Sequence, residues 1–322
     1  MRRRELLCQA LVSAGVASAL PSAWASARRS AALSPQEFQK QLVGPVVSVP
    51  TCYQKDLTVD HAAMRRIVDL AAGAGARIFT LTAGNSQYDK LTHDEILAIT
   101  RTLVEAVSGR GVSIAATGKW GTEQAVEYAR FAASIGADAL QVTLPDLADD
   151  AMVAHMQAIT RATPAGIVLH GEPAIPLASR LLQLDSVVGF KEEYGTIYSL
   201  QLYREFGTRL TLFAGGEKAR LLTYYPYGMR AWYSTFMTFA PSVAVLFQRA
   251  IEAGDLKRAG EIVLRYETPF FQRWSHPFWR ATCEHFGVAS RWVRDPEVAF
   301  TDEQMRDLAG FFESLELPRQ TS

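Results

Sequence analysis

Short runs of apolar, often β-branched residues alternate along the chain with longer segments whose apolar positions recur every three to four residues. Eight such alternations are typical of repeated βα units, in which helices connect parallel strands. We predict the strands over Val46–Val49, Ile78–Leu81, Val112–Ala116, Ala139–Val142, Gly166–Leu169, Val187–Lys191, Leu210–Phe213 and Ala231–Tyr233. Eight units favour an α/β fold closed into a (β/α)8 TIM barrel over an open doubly wound sheet.

Glycines and capping residues mark the ends of several predicted helices. The segments Gly73–Ala76 and Ile135–Asp138 each end a helix with glycine and lead into the next strand. Thr92 and Asp94 are candidate capping residues where the second helical segment begins. No glycine-rich phosphate loop follows a predicted strand, which disfavours a dinucleotide-binding enzyme.

The chain divides into four predicted regions. Residues 1–25 form a signal peptide, residues 26–43 a polar linker and residues 44–240 the barrel. Residues 241–322 contain the last barrel helix and a C-terminal helical extension.

The first 25 residues have the composition of an export signal. Arg2–Arg4 precede an apolar stretch of small residues over Leu6–Leu20, and Ala23–Ala25 offers a cleavage site. The segment Arg3–Leu7 also resembles the twin-arginine signal of bacterial export. We therefore expect a periplasmic or secreted protein with no membrane association after cleavage; the alternative is a frayed amphipathic N-terminus or an uncleaved anchor.

Charge and cysteine content narrow the function classes. Lys plus Arg and Asp plus Glu are both 33, and no basic block occurs beyond the first residues and Arg28–Arg29, so no nucleic-acid partner is expected. Cys52 and Cys283 fit buried thiols, and a disulfide between them stays open. The sequence shows no metal-ligand spacing around His93, His155, His276 or His285, so neither a metal nor a cofactor is expected.

A lysine ends the sixth predicted strand, in the segment Val187–Glu193. A (β/α)8 barrel carries its active site at the C-terminal ends of the strands. Burial lowers the pKa of a lysine, and the free amine attacks a ketone to form an imine. Lys191 is thus a candidate Schiff-base residue, although an ion pair of Lys191 with Glu192 or Glu193 at the strand end would be purely structural.

Several motifs, in order, resemble those of the dihydrodipicolinate synthase/N-acetylneuraminate lyase superfamily, and the resemblance runs from Gly44 to about Leu317. No single motif is specific to this superfamily, but the order and spacing of the motifs together are. They are Val47–Tyr53 with Asp56–Asp60, Ala83–Tyr88 with Leu91–Glu95, Ala116–Gly118, Gly136–Asp138, Gly189–Lys191, Gly215–Glu217 and Gly228–Ser234.

The resemblance implies a class I Schiff-base lyase, an aldolase or dehydratase, that acts on a 2-oxo acid or 2-keto-3-deoxy sugar acid. Lys191 would form the imine, and the loop of Gly84, Asn85 and Ser86 would bind the substrate carboxylate. Further substrate contacts would come from Gly216 and Ser234. Family members commonly form tetramers from paired dimers. The resemblance therefore implies that this protein is a homo-oligomer, either a tetramer or a dimer.

The chain departs from the family pattern at the fifth strand. Where family members usually carry a proton-shuttling tyrosine, this chain reads His170–Pro173. We expect His170 to take over the proton transfers, because histidine donates and accepts protons near neutral pH; a structural histidine is the alternative. The phenols of Tyr53, Tyr88 and Tyr194 are other candidates, each equally suited to packing.

Two rival functions remain open from the sequence. An exported barrel that retains the lysine without turnover would be a binding protein for 2-oxo acids, and the missing tyrosine motivates this alternative. A metal-dependent barrel aldolase or hydrolase would work without Lys191, but the sequence supports it poorly. Export also argues against the lysine-biosynthesis enzyme itself, which is cytoplasmic.

Overall fold

A computed structural model describes residues 33–318 and contains eight parallel strands that close into a barrel in sequence order. The first strand pairs with both the second and the eighth, which completes the closure. The strands are β1 Gly44–Ser48, β2 Ile78–Thr80, β3 Val112–Ala116, β4 Ala139–Thr143, β5 Gly166–His170, β6 Val187–Glu192, β7 Thr211–Ala214 and β8 Ala231–Tyr233. Each predicted strand is confirmed to within two residues, and so is the (β/α)8 barrel.

Helices surround the barrel and continue beyond β8. The helices are α1 Pro35–Gln41, α2 His61–Gly73, α3 His93–Val107, α4 Thr122–Ser134, α5 Asp149–Ala162, α6 Ile175–Leu181, α7 Thr196–Phe206, α8 Ala219–Tyr224, α9 Pro241–Glu252, α10 Leu256–Ile262, α11 Thr268–Phe271, α12 His276–His285 and α13 Asp302–Leu315. A π-helical turn over Val263–Glu267 connects α10 to α11. Because α10 to α13 follow the last barrel helix, the predicted C-terminal helical extension is present.

Helix α1 lies inside the segment predicted to be a linker and corrects that prediction. Ser34 and Glu37 form a capping box at its start, a helix signal that is present in the local sequence. Phe38 is fully buried and packs with Leu42 among the residues that fill the barrel interior. A Cβ on Gly166 would lie 2.7 Å from the Phe38 ring. The helix therefore covers the N-terminal end of the barrel and leaves the opposite end for a site.

The predicted signal peptide, residues 1–25, lies outside the described residues. Within residues 33–318, no helix is long and apolar enough to cross a bilayer. Cys52 and Cys283 are both buried free thiols, which decides against a disulfide. Burial raises the pKa of Cys52 to about 12 and that of Cys283 to about 11, so neither is expected to ionise near neutral pH.

Candidate active site

Lys191 lies at the C-terminal end of β6 and points into the barrel mouth. Its side chain is only 6% exposed, and Nζ lies 4.8 Å from the centre of the Tyr233 ring at the end of β8. Burial lowers the pKa of Lys191, and the neighbouring Glu193 carboxylate only partly opposes this effect. Such an amine loses its proton more readily than a solvated lysine, which is what nucleophilic attack on a ketone requires.

Glu193 links the lysine to the histidine predicted from the sequence. Its Oε1 lies 2.9 Å from Lys191 Nζ, and its Oε2 lies 2.9 Å from His170 Nε2. Burial opposes ionisation of Glu193, but the hydrogen bonds and charges of His170 and Lys191 outweigh it and lower its pKa to about 2. The three side chains therefore form one chain of proton-exchanging groups in which the carboxylate is central.

His170 ends β5, and its Nδ1 lies 3.5 Å from Thr143 Oγ1 at the end of β4. Burial lowers the pKa of His170, while its hydrogen bond to Glu193 acts in the opposite direction. In the part of the chain that the structure describes, His170 is not among the residues that line the cavity beside Lys191. It reaches that cavity only through the Glu193 carboxylate.

The cavity beside Lys191 has a volume of about 630 Å³ and opens at the C-terminal end of the barrel. This size suits a small metabolite. Its wall combines polar groups with aromatic rings. The lining residues are Ser48, Asn85, Lys191, Glu193, Tyr194, Gly195, Thr196, Gly216, Glu217, Ala219, Arg220, Thr223, Tyr224, Tyr233, Thr235, Phe271 and Trp274.

Asn85 is the member of the predicted carboxylate-binding loop that lines the cavity. Its side-chain Nδ2 donates to Ser48 Oγ over 3.1 Å, and its backbone carbonyl accepts a 3.0 Å hydrogen bond from Nη2 of the fully buried Arg280. Gly84 precedes it on the exposed side of the loop. These two contacts anchor Asn85 through its side chain and its backbone, and the carboxylate-binding role of Asn85 and Gly84 stays a prediction.

Ser86 is fully buried and holds the loop together from inside. Its Oγ donates to the carbonyl of Val49 over 3.0 Å, and its backbone N–H donates to the carbonyl of Thr82 over 2.9 Å. The N–H of Asn85 donates to Thr82 Oγ1 over 3.2 Å. These donors are used within the protein, so the structure places Ser86 behind the cavity wall and not on it.

The two remaining predicted substrate contacts lie at the ends of β7 and β8. Gly216 lines the cavity and has a φ of 66°, which an L side chain rarely adopts. Ser234 is 1% exposed, and its Oγ is buried with no partner among the described residues. Of the candidate phenols, Tyr194 lines the cavity, whereas Tyr53 and Tyr88 are buried outside the lining.

A second ion pair at the end of β6 brings an arginine to the cavity. The carboxylate of Glu192 is fully buried and accepts hydrogen bonds from Tyr194 N (2.8 Å) and Ser199 Oγ (2.6 Å). Arg220 Nη1 lies 3.1 Å from Glu192 Oε1 and donates to the carbonyl of Tyr194 over 2.9 Å. These contacts fix the Arg220 side chain in a position where it forms part of the cavity wall. No local motif in the sequence marks Arg220 as a site residue.

No group of three or more His, Cys, Asp or Glu side chains within residues 33–318 is arranged to hold a metal ion. The barrel mouth therefore presents a buried amine, a carboxylate that bridges it to an imidazole, and an amide and a guanidinium on the surrounding wall. This set of groups can form an imine and move protons beside it.

The fold and the site define a class of Schiff-base barrel enzymes, and comparison with known proteins agrees. The model of the Dihydrodipicolinate synthetase family matches residues 41–313, so the chain belongs to this family. It is a Schiff-base-forming class I lyase, which confirms the activity implied by the sequence motifs.

Two relatives and one solved structure illustrate the similarity. The chain is 30% identical over 237 residues to a protein of Methylobacterium radiotolerans described as a probable 5-dehydro-4-deoxyglucarate dehydratase, covering 70% of this chain and 78% of the relative. It is 26% identical over 301 residues to a protein of Rhizobium rhizogenes with the same description, covering 88% and 99%. N-acetylneuraminate lyase from Mycoplasma synoviae shares the fold, with a TM-score of 0.78, 17% identity and coverage of 86% and 99%.

Proposed function

We propose that the protein dehydrates a 2-keto-3-deoxy sugar acid through a Schiff base at Lys191. The observation that carries this proposal is the position of Lys191: buried, at the C-terminal end of a barrel strand, and on the wall of a metabolite-sized cavity. The ion pair with Glu193 does not remove it from the cavity, because Glu193 lines the same wall. The purely structural ion pair considered from the sequence would not require such a cavity.

The chemistry follows from these groups. The free amine of Lys191 attacks the keto carbon, and loss of water gives a protonated imine. The imine draws electrons, so a proton leaves C3 and an enamine forms. The enamine then expels the C4 hydroxyl as water once that hydroxyl is protonated, and hydrolysis of the imine releases the product and the lysine. The group that exchanges these protons comes from the hydrogen-bonded pair of Glu193 and His170 beside the lysine.

The description of the relatives supports dehydration and a dicarboxylate substrate such as 5-dehydro-4-deoxyglucarate. Such a substrate carries one carboxylate beside the keto group and another at the far end. Asn85 is suited to the first, and Arg220, on a different part of the cavity wall, is suited to the second. A 2-oxo-acid-binding protein without turnover is not favoured. Family members usually use a tyrosine for proton transfer, and the hydrogen-bonded pair of Glu193 and His170 can supply that transfer here.

The proposal is tested by incubating the purified protein with pyruvate and borohydride and locating the adduct by peptide mass spectrometry. We expect a stable adduct on Lys191. A panel of 2-keto-3-deoxy acids is then assayed for loss of water and for carbon–carbon cleavage. An adduct without turnover on any panel member would favour the binding protein, and no adduct would contradict the Schiff base.

Replacing Arg220 with methionine is expected to change substrate preference. We expect kcat/KM for a keto-deoxy diacid to fall about 10- to 150-fold, the usual effect of losing a hydrogen bond to a charged group. For the corresponding monoacid, kcat/KM should change much less, so the ratio of the two values cancels any general effect of leaving Glu192 without its partner. An unchanged ratio would show that Arg220 does not bind the far carboxylate.

We also propose that the protein is exported and assembles as a homo-oligomer, either a tetramer or a dimer. The arginine-led apolar segment before residue 26 supports export, and membership of the family supports assembly. Native mass spectrometry of protein released from the periplasm of an expressing bacterium should show chains that begin at Ser26, in multiples of the single-chain mass. Full-length chains in the cytoplasm, or isolated monomers, would contradict the respective proposal.

A further inference from the structure

We propose that Glu193, rather than His170, is the catalytic residue that exchanges protons at the reacting atoms, and that His170 is a positioning residue behind it. The inference rests on the proposed imine at Lys191 and goes beyond it, because the sequence offered His170 and three tyrosines for the proton transfers, and not Glu193.

The order of contacts separates the two roles. Glu193 lines the cavity and lies 2.9 Å from Lys191 Nζ, the atom that would attack the substrate. His170 lies on the other side of the carboxylate, 2.9 Å from its second oxygen, and does not belong to the described cavity wall. Any proton that passes between the cavity and His170 along these contacts has to cross Glu193.

Gly215, directly after β7, provides the space that Glu193 occupies. A Cβ on Gly215 would lie 2.2 Å from Glu193 Cγ and 2.5 Å from its Oε1. Non-bonded contacts this short are essentially never made by a real Cβ, so the Glu193 side chain would have to move from its place beside Lys191 if residue 215 carried a side chain. The Gly215 N–H also donates to the carbonyl of Glu192 over 2.7 Å, which fixes the backbone at this approach. The position of the Glu193 carboxylate, directly after β6, therefore depends on a glycine directly after the neighbouring strand β7.

The protons balance over imine formation. The Lys191 ammonium gives one proton to Glu193 Oε1, and the resulting amine adds to the ketone. The amine nitrogen gives up one proton and the carbonyl oxygen gains one in forming the carbinolamine. The Glu193 carboxyl then returns its proton to the carbinolamine hydroxyl, which leaves as water. The ionised carboxylate remains beside the positive imine and stabilises it.

The same carboxylate serves the dehydration step. Glu193 takes the proton from C3 as the enamine forms and delivers it to the C4 hydroxyl, so one water is lost and no net proton is gained. His170 donates a hydrogen bond to Glu193 and holds its orientation, as the partners of catalytic carboxylates do.

The first test compares isosteric variants. Glu193→Gln should lower kcat about 10²- to 10⁴-fold, the usual contribution of a general acid–base residue, whereas His170→Asn should cost less, about 10- to 100-fold, in line with a supporting partner. Glu172→Gln, which removes an exposed carboxylate two residues after His170, is the matched control and should retain kcat within about twofold. A larger loss in His170→Asn than in Glu193→Gln would overturn the assignment.

Two further variants separate chemistry from folding. Gly215→Ala keeps every proposed proton-transfer group but should displace Glu193 and lower kcat at least about tenfold, with a largely unchanged melting temperature. In Glu193→Ala, added formate should restore part of the lost kcat, since it supplies a carboxylate that a structural role would not use. Full activity in Gly215→Ala, or no response to formate, would contradict the proposal. Wild-type trapping by pyruvate and borohydride reports on Lys191 independently, so failure of the Schiff base itself is distinguished.

Discussion

Replacing Lys191 with alanine is expected to abolish turnover, lowering kcat by about 10⁴-fold or more, as the loss of a covalent nucleophile does. The variant should also form no borohydride-stable adduct with pyruvate, because no other amine lines the cavity in residues 33–318. The substitution removes one ion-pair partner of Glu193, but that carboxylate is about one-third exposed and keeps its hydrogen bond with His170. The fold should therefore survive, which circular dichroism would check.

The exposed Lys257 offers a control, and Lys257→Ala should keep both turnover and adduct. The pH dependence of trapping adds a second readout. Burial lowers the pKa of Lys191, so the free amine is populated below the ordinary lysine range and the trapping rate should level off before that range is reached. Substantial turnover in Lys191→Ala that is sensitive to chelators would instead indicate metal-dependent chemistry.

The largest expected effect on stability comes from a different ion pair. Lys218 and Glu267 form a salt bridge in which the two side chains are 0% and 2% exposed, and the Lys218 ammonium also lies over the rings of Phe236 and Phe247. Glu267→Gln leaves this ammonium buried without a counter-ion, which costs about 3–5 kcal/mol of unfolding free energy. In a domain of this size the melting temperature should fall by roughly 5–8 °C, measured by calorimetry.

The surface pair of Arg258 and Glu261 is the matched control, because both side chains are about half exposed. Glu261→Gln should change the unfolding free energy by less than about 1 kcal/mol. The double variant Lys218→Met/Glu267→Gln should recover much of the loss, since it removes the uncompensated charge. Equal losses in the double variant and in Glu267→Gln would show that the cost has another origin.

The fold was predicted from the sequence to a large extent, because each βα unit carries its own signal. A buried strand needs a short apolar run and an outer helix needs an apolar face, and both are periodic properties of local sequence. The exception was helix α1 in the predicted linker. Its capping box over Ser34–Glu37 was a readable signal, but the reason that the segment packs is Phe38 under the barrel, a contact with distant strands.

The site was predicted in part. The position of Lys191 at a strand end, together with the resemblance of the motifs, indicated the Schiff base, and the unusual His170 was evident from the sequence. The placement of Ser86 behind the wall, and of Arg220 on it, depends on which way each loop side chain turns. The role of Glu193 was considered only as a neutralising ion pair, since the sequence does not show that the same carboxylate also reaches β5.

The sequence by itself determined the order of eight strands and helices, the lysine at the sixth strand end and the substitution of histidine for tyrosine, because these depend on local periodicity and residue type. Only the tertiary structure decided that Glu193 lies between Lys191 and His170 and that Gly215 provides its space. Barrel closure brings the ends of β5, β6 and β7 side by side, and the chemistry of such a site depends on ångström distances between residues far apart in the chain.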